Sequence, residues 1–554
     1  MIGIPKTISK NWKELTFYSV VALLVLWPLL GPGFILTLDM IFAPKIAMPE
    51  TVTSSYFFRV FLHVVSLVIP SDIIEKIILF AILALSGIGA HRLTRSLQRS
   101  DISPRIANFA AYTSGLIYMV NPFTYSRFMA GQYSVLLGYA CIPFFVVALI
   151  RFLNKPQLKG AAILATLAVI VSLVSIHTLG LLLVIALFAT IQSLWHNRSN
   201  VVHLRRLVGY GVVAIVAFAI ASSYWLLPFA VGHGATADSI ETFQTSDQSA
   251  FATGGDGVAS KLIHVLRLQG FWGERNDLFI MPQDELRVWG LAVIAVWILV
   301  VMGAVVAWKR KRSHAVLFTC IFVVAAILAT GVGTSWLADY VPFFAGYREP
   351  QKFAALVALC FAVFIGFAIP ILFAKIRGKI GRIIIGLMLL LVFVGFTPAM
   401  FMGFDSQLAP RHYPADWYAV NDQLNQDKDN YKVLFLPWHL YMRFDFAGRL
   451  IANPGDIYFD TPTLVGDNPE IGNVGPAVTN LEKEYLSSRI LPQAAQSTTL
   501  SKKLAQIQIK YVLLAKDSDY AAYSYLDKQS DLKLVSDTAT LRLYRVEEFK
   551  AAKQ

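Results

Sequence analysis

The chain has 554 residues, 56% hydrophobic and 15% charged, with a formal net charge of +13 from 48 Lys and Arg against 35 Asp and Glu. A soluble protein carries about 25% charged residues, so an ordinary soluble globular chain is excluded. The basic excess does not point to nucleic acid either, because the cations fall in short loops between apolar runs, where they read as a membrane-topology signal.

A helix needs roughly 20 mostly apolar residues to cross a bilayer. Eleven runs approach this, near 16–36, 72–90, 107–121, 133–152, 160–176, 178–195, 207–230, 287–308, 314–332, 353–374 and 383–403. The fifth and sixth join tightly around Ser175-Ile176-His177-Thr178. Lys6, Lys10 and Lys13 precede the first run without a small-residue cleavage site, which predicts an uncleaved first span. Cys141, Cys320 and Cys360 all lie in apolar runs, as core thiols do, and no metal-ligand spacing of Cys and His occurs.

Lys and Arg alternate between loops. One side carries Lys6, Lys10, Lys13, Arg92, Arg95, Arg99, Arg105, Arg151, Lys155, Lys159, Arg198, Arg205, Arg206, Lys309–Arg312, Lys375, Arg377, Lys379 and Arg382. The other carries Asp39, Glu50, Asp238, Glu241, Asp247, Asp256, Glu274, Asp277, Asp284, Glu285, Asp339 and Glu349. This predicts a multi-pass cell-membrane protein with a cytoplasmic N-terminus and an extracytoplasmic tail. Two long outer loops each hold an apolar run suited to a surface helix, Tyr56–Val65 and Lys261–Arg267.

The tail is a different material. Turn signals separate short β-branched and aromatic runs at 432–437, 511–514 and 541–546, which predict strands. The segments 414–425 and 496–507 predict helices. The expected organisation is a polytopic all-α membrane bundle over 1–404 and a small extracytoplasmic α/β domain over 405–554. The tail has no nucleotide-binding glycine fingerprint and no P-loop.

All candidate chemistry falls on the outer side. Asp39 stands between Leu38 and Met40, and a carboxylate held against apolar surface gains proton affinity and can serve as a base. Its plain alternative is a loop carboxylate at the interface. Arg127 lies in the short loop between spans three and four, and His177 at the tip of spans five and six. Gly346-Tyr347-Arg348-Glu349-Pro350-Gln351-Lys352-Phe353 precedes span ten. Arg348 and Lys352, four apart, share a face if the helix begins there, and together suit a phosphate at headgroup depth. The alternatives are anchoring at lipid headgroups, or pairing of Arg348 with Glu349 or Asp339. His177 and Arg127 have interfacial alternatives, and Trp225, Trp289, Trp336 and Tyr347 fit an aromatic belt. No clear internal repeat appears and the spans hold few ionisable residues, unlike a typical secondary transporter.

Leu38-Asp39-Met40 with Pro44, Tyr118-Met119-Val120-Asn121-Pro122, Ser223-Tyr224-Trp225-Leu226-Leu227-Pro228 and Arg348-Glu349-Pro350-Gln351-Lys352-Phe353 together resemble the GT-C membrane glycosyltransferases. More narrowly, the same pieces, joined in the tail by Tyr413-Pro414-Ala415-Asp416-Trp417 and Ile509-Lys510-Tyr511-Val512-Leu513-Leu514, are similar to the bacterial arabinofuranosyltransferase-like and lipoteichoic-acid-glycosylation-like membrane proteins. The resemblance implies an inverting hexosyl or pentosyl transfer. The donor would be a polyprenyl-phosphate sugar and the acceptor an extracytoplasmic cell-envelope glycan or glycoprotein. Asp39 would be the base, and Arg348 and Lys352 would meet the leaving phosphate, with Arg127 and His177 as further candidates. Glu50 and Glu349 are secondary acids. Metal-using members often pair acids near this position, whereas the next acid here is Glu50; no obligatory metal is therefore expected, a divalent cation staying open. The outer domain would bind the acceptor or a carbohydrate. Membrane lipids are partners and nucleic acid is not. The competing reading is a non-enzymatic carrier or scaffold, or a flippase, for lipid-linked envelope glycans.

Overall fold

The computed structural model describes residues 6–98, 101–235, 250–276, 278–341, 344–376, 378–468, 480–497 and 499–550. Of the loop charges that set the predicted topology, Arg99, Asp238, Glu241, Asp247, Asp277 and Arg377 lie outside the described residues.

Helices dominate the first 400 residues, because a backbone in hydrocarbon must satisfy its own N–H and C=O groups. Among the described residues nine helices are long and apolar enough to cross a membrane, which marks an integral membrane protein. In chain order the helices are α1 (Lys6–Leu26), α2 (Tyr56–Ser66), α3 (Ser71–Leu97), α4 (Pro104–Met119), α5 (Pro122–Met129), α6 (Tyr133–Asn154), α7 (Leu158–Val174), α8 (Ile176–His196), α9 (Val201–Ala221) and α10 (Ser223–Ala230). They continue with α11 (Gly257–Leu266), α12 (Trp289–Arg310), α13 (Arg312–Thr330), α14 (Ala354–Ala374) and α15 (Lys379–Phe396). The expected runs at 107–121 and 160–176 form α4 and α7, of 16 and 17 residues. The two expected surface runs form α2 and α11.

Some boundaries differ from expectation for local reasons. The first run stops at Leu26 and a 3-10 turn, Trp27–Leu29, because Pro28 and then Gly31-Pro32-Gly33 cannot propagate a helix. The seventh run breaks at Ser222, between α9 and α10. The aromatic belt fails in part: Trp225 and Trp289 are buried, and the Trp289 indole donates to Phe396 O at 3.0 Å, whereas Trp336 is exposed. The three thiols are unbridged, with Cys360 buried and Cys141 and Cys320 half-buried.

The core gathers around α14, an unbroken apolar run buried over nearly its whole length. It packs on α4 and α12, while α3 packs on α4 and α6. The α12–α14 crossing is close enough that a Cβ on Gly303 would lie 1.7 Å from Phe364 O, as small residues permit in membrane bundles. By contrast α9 and α15 leave most of their surface uncovered, as lipid-facing helices do.

Beyond α15 come α16 (Ala415–Gln426) and α17 (Leu500–Gln506) with seven strands: β1 (Lys432–Leu436), β2 (Tyr441–Phe444), β3 (Arg449–Ala452), β4 (Thr463–Leu464), β5 (Ile509–Ala515), β6 (Leu532–Asp537) and β7 (Leu541–Val546). The main sheet has the order β4-β1-β5-β7-β6. Its β4, β1 and β5 run parallel, and β7 is antiparallel to both β5 and β6. The three expected strands are β1, β5 and β7. The sequence reading did not anticipate β2 and β3, which form a separate antiparallel hairpin with Tyr441 opposite Ala452. That hairpin proves to be the part of the tail that reaches the candidate site.

Candidate functional site

The first outer loop is held from three sides. On α3, Asp72 Oδ2 and Glu75 Oε2 accept from the backbone N–H groups of Gly33 (3.3 Å) and Ile35 (3.0 Å), and the Lys76 ammonium donates to Gly31 O (2.6 Å). From the tail, Arg411 exchanges two backbone bonds with Phe34 (2.7 and 2.8 Å). Further on, Leu38 N donates to Leu450 O (3.3 Å) and Ala452 N to Leu38 O (2.8 Å), so the loop adds to the free edge of β3. Leu38 takes a φ of +34° at this junction. Such backbone costs about 1–3 kcal/mol in a non-glycine residue and persists only where the surroundings over-determine it.

Thr37 to Met40 form a tight turn, closed by Met40 N on Thr37 O at 2.7 Å. It rests on the C-terminal end of α5: Thr37 Oγ1 donates to Met129 O (2.6 Å) and Asp39 N to Ala130 O (3.1 Å). Gly131 underlies it with φ +71°, and a Cβ there would lie 2.3 Å from Met40 N and 2.4 Å from Thr37 O. Both obstacles are backbone. Gly131→Ala is therefore expected to lower stability by more than about 1 kcal/mol and to push the turn off its seat. A lowered melting temperature of the detergent-purified protein reads this, and an unchanged one would show that the turn has room to shift.

Asp39 crowns the turn. Its carboxylate is accessible to solvent although protein surrounds it densely, the situation of a side chain facing a concave recess. Oδ1 accepts from the Tyr441 hydroxyl at 2.5 Å and Oδ2 from Gln132 Nε2 at 3.2 Å. The surrounding protein raises its pKa above the ordinary value, and the Glu349 charge adds to this. The bonds from Tyr441 and Gln132 and the nearby Arg348 guanidinium oppose the rise without cancelling it.

Beneath Asp39 lies a buried charge cluster. Arg127, on α5, is wholly buried between the rings of Phe123 and Phe271, 5.5 and 4.6 Å from their centroids. It donates to Glu349 Oε2 at 2.5 Å and also to Gln132 Oε1 and Gln351 Oε1. Lys352 Nζ stands 3.8 Å from the same Glu349 oxygen. Burial alone would raise the Glu349 pKa, but Lys352, Arg127 and Arg348 together hold it well below the usual carboxylate range. Gln132 Nε2 also donates to Glu349 Oε1 at 3.3 Å, so one amide links the buried cluster to Asp39.

The candidates thus separate by environment. Asp39, Glu349, Arg348 and Lys352 lie within electrostatic reach of one another. His177 adjoins the same charges, its carbonyl accepting from Tyr347 and its ring edge-on to Tyr347 at 5.6 Å. Arg127 is wholly buried and paired with Glu349, whose carboxylate also lies near Lys352. One expectation needs correction. Arg348 and Lys352 do not share a helix face, because Pro350–Phe353 is a 3-10 turn and Arg348 precedes it, lying over Phe251 at 4.5 Å. Glu50 is exposed, and among the described residues it makes no hydrogen bond or ion pair with the cluster. No three His, Cys, Asp or Glu side chains gather in metal-binding range among the described residues.

Sequence reasoning missed Gln132, Gln351 and Tyr441. Neutral amides carry no charge signal, and Tyr441 is 402 residues from Asp39 in the chain.

The helical bundle with its appended sheet has a GT-C-like fold. Among solved structures the chain is similar to the arabinofuranosyltransferase AftD from Mycobacteria, with a TM-score of 0.65 and 12% identity over 97% of this chain and 40% of that one. Two structures of a mutant of the same enzyme give 0.63 and 0.54, each at 12% identity over 97% of this chain and 41% of theirs. The likeness is one of fold, and the chain spans about two-fifths of the length of these proteins. No curated protein matches by sequence. The chain belongs to a family of unknown function, DUF6541, whose model matches residues 50–419. Asp39 lies just before the matched segment.

Proposed function

We propose that this protein is an inverting membrane glycosyltransferase that moves a sugar from a polyprenyl-phosphate donor to a hydroxyl of an extracytoplasmic envelope glycan or glycoprotein. The observation that carries this reading is Asp39: a solvent-facing carboxylate of raised proton affinity, next to a carboxylate that neighbouring cations hold below its ordinary range, and beside Arg348. Asp39 takes the acceptor proton. The acceptor oxygen attacks the anomeric carbon from the face opposite the phosphate, and the C–O bond to phosphate breaks with its electron pair leaving on the lipid phosphate. Arg348 meets the charge that develops there, because cations aimed at developing charge act most strongly in a crowded, low-dielectric site. Lys352 and Arg127 stand behind it and fix the field through Glu349. His177 is a lesser candidate for contact with the donor. The reaction as written uses no metal.

The alternation of Lys and Arg supports a cytoplasmic N-terminus, which puts residues 1–404 across the membrane and 405–554 outside the cytoplasm. The donor's prenyl chain then lies in the outer leaflet beside the recess.

Deletion of this protein in its host, with and without complementation, tests the reading by mass spectrometry of envelope glycans and extracted lipids. Loss of one glycosyl increment from an envelope polymer with accumulation of the polyprenyl-phosphate sugar is expected; unchanged polymer and lipid pools would overturn it. In vitro, Arg348→Ala is expected to raise the apparent KM for the lipid donor about tenfold or more, since a charge-assisted bond is worth about 1.5–3 kcal/mol. An unchanged KM would take Arg348 away from the phosphate.

A further inference from the structure

The tail does more than cover the membrane bundle. The edge of β3 takes up the first outer loop at Leu38, and β2 lies on the other side of β3. Directly opposed residues of an antiparallel pair point to the same face. Tyr441 is opposed to Ala452, the residue whose N–H bonds Leu38 O. Ala452 has only a methyl group, so the Tyr441 ring can pass over it, across strands about 4.8 Å apart, to the carboxylate next to Leu38. The result is the 2.5 Å bond from the Tyr441 hydroxyl to Asp39 Oδ1.

We propose that Tyr441 is a positioning residue for Asp39, so that the C-terminal hairpin completes the candidate active site and leaves Asp39 Oδ2 as the oxygen that takes the acceptor proton. This rests on the glycosyltransferase reading above. The two carboxylate oxygens are held unequally. Oδ1 is fixed by a short bond from a hydroxyl that burial, and then the Asp39 charge, raise well above its ordinary pKa, so that it stays protonated and donates. Oδ2 is met by the longer 3.2 Å bond from Gln132, whose amide is shared with Glu349. A carboxylate oxygen has two lone-pair sites, so Oδ2 keeps one for the acceptor.

The charged and titratable groups that face Asp39 are Glu349 and Arg348 from the segment before α14, Lys352 from the 3-10 turn, and Tyr441 from β2. Glu349 disfavours the ionised carboxylate, whereas Arg348, Lys352 and the Tyr441 bond favour it. Tyr441→Phe deletes one oxygen and removes only the last of these. The carboxylate then holds its proton to a higher pH. Because the base must be ionised, the acid limb of the kcat/KM profile moves upward.

The test is the pH profile of transfer by the full-length protein, wild type against Tyr441→Phe, with Asp39→Asn alongside. The expected result is an acid limb displaced upward by about one pH unit, so the variant loses about tenfold on the acid side and recovers toward wild type as pH rises. A merely structural tyrosine would lower activity by one factor at every pH, and an unmoved limb overturns the proposal. If Asp39→Asn abolishes transfer while Tyr441→Phe leaves the profile unchanged, the positioning role alone fails. If Asp39→Asn transfers normally, the reaction assigned to the site fails first.

Discussion

Asp39→Asn is expected to lower transfer by about 10²–10⁴-fold, the usual worth of a general base, in a protein that folds and inserts as the wild type does. The substitution is nearly isosteric. The carbonyl of the introduced amide can still accept from Tyr441, and the turn is held by backbone atoms and by Thr37, none of which change. What is lost is the capacity to take a proton. The sign of the stability effect follows from the same environment. An Asp whose folded pKa is raised above its unfolded value binds its proton more tightly when folded, so at neutral pH its ionised form disfavours the folded state. The neutral amide removes that penalty, and the variant should melt at the wild-type temperature or slightly above it. Product formation from a polyprenyl-phosphate sugar and a thermal melt, measured on one preparation, read both halves. Turnover near wild type would exclude Asp39 as the base, and a large fall in melting temperature would show that the carboxylate is structural.

The membrane part of the fold was legible because a bilayer leaves the chain few options. Runs such as 353–374 are apolar on every face, and α14 is correspondingly buried on every face. Boundaries were less legible where turn chemistry competes with hydropathy. Leu30 to Leu36 continues the apolar character of the first span, yet the helix has already ended at Leu26 before Pro28, and Gly31-Pro32-Gly33 keep it from resuming, which frees the loop that bears Asp39. In the tail, β1, β5 and β7 announced themselves by β-branched and aromatic runs. The hairpin had a weaker signal, the alternation of Tyr441, Met442, Arg443 and Phe444 ahead of a turn with Gly448 at φ +68°, which reads as strand and turn once attended to. At the site, ionisable residues on the outer side could be found by type, but sequence does not carry burial. Arg127 and Arg348 look alike in the chain; one is sealed between two rings and the other lies over Phe251 within electrostatic reach of Asp39. Gln132 is visible only through the three charged side chains it touches.

Arg127→Met should be the most destabilising of the single substitutions at this site, at about 3–5 kcal/mol, because it leaves a buried carboxylate without its main partner. Lys352 at 3.8 Å cannot replace a 2.5 Å guanidinium bond, and Gln132 and Gln351 lose their common donor at the same time. Glu349→Gln fails for the opposite reason, leaving Arg127 and Lys352 buried together without an anion. The double variant Arg127→Met, Glu349→Gln removes both faults at once. Groups in one ion-pair network couple by about 0.5–3 kcal/mol, so the double variant should melt above the sum of the two single losses, with Lys352 the residual cost. Strict additivity would mean that the pair is not coupled. The cycle bears on function as well, because Gln132 receives Arg127 on its oxygen and reaches Asp39 with its nitrogen. Once Arg127 is gone that amide is free to rotate, so even a folded double variant should transfer more slowly than its stability alone would require.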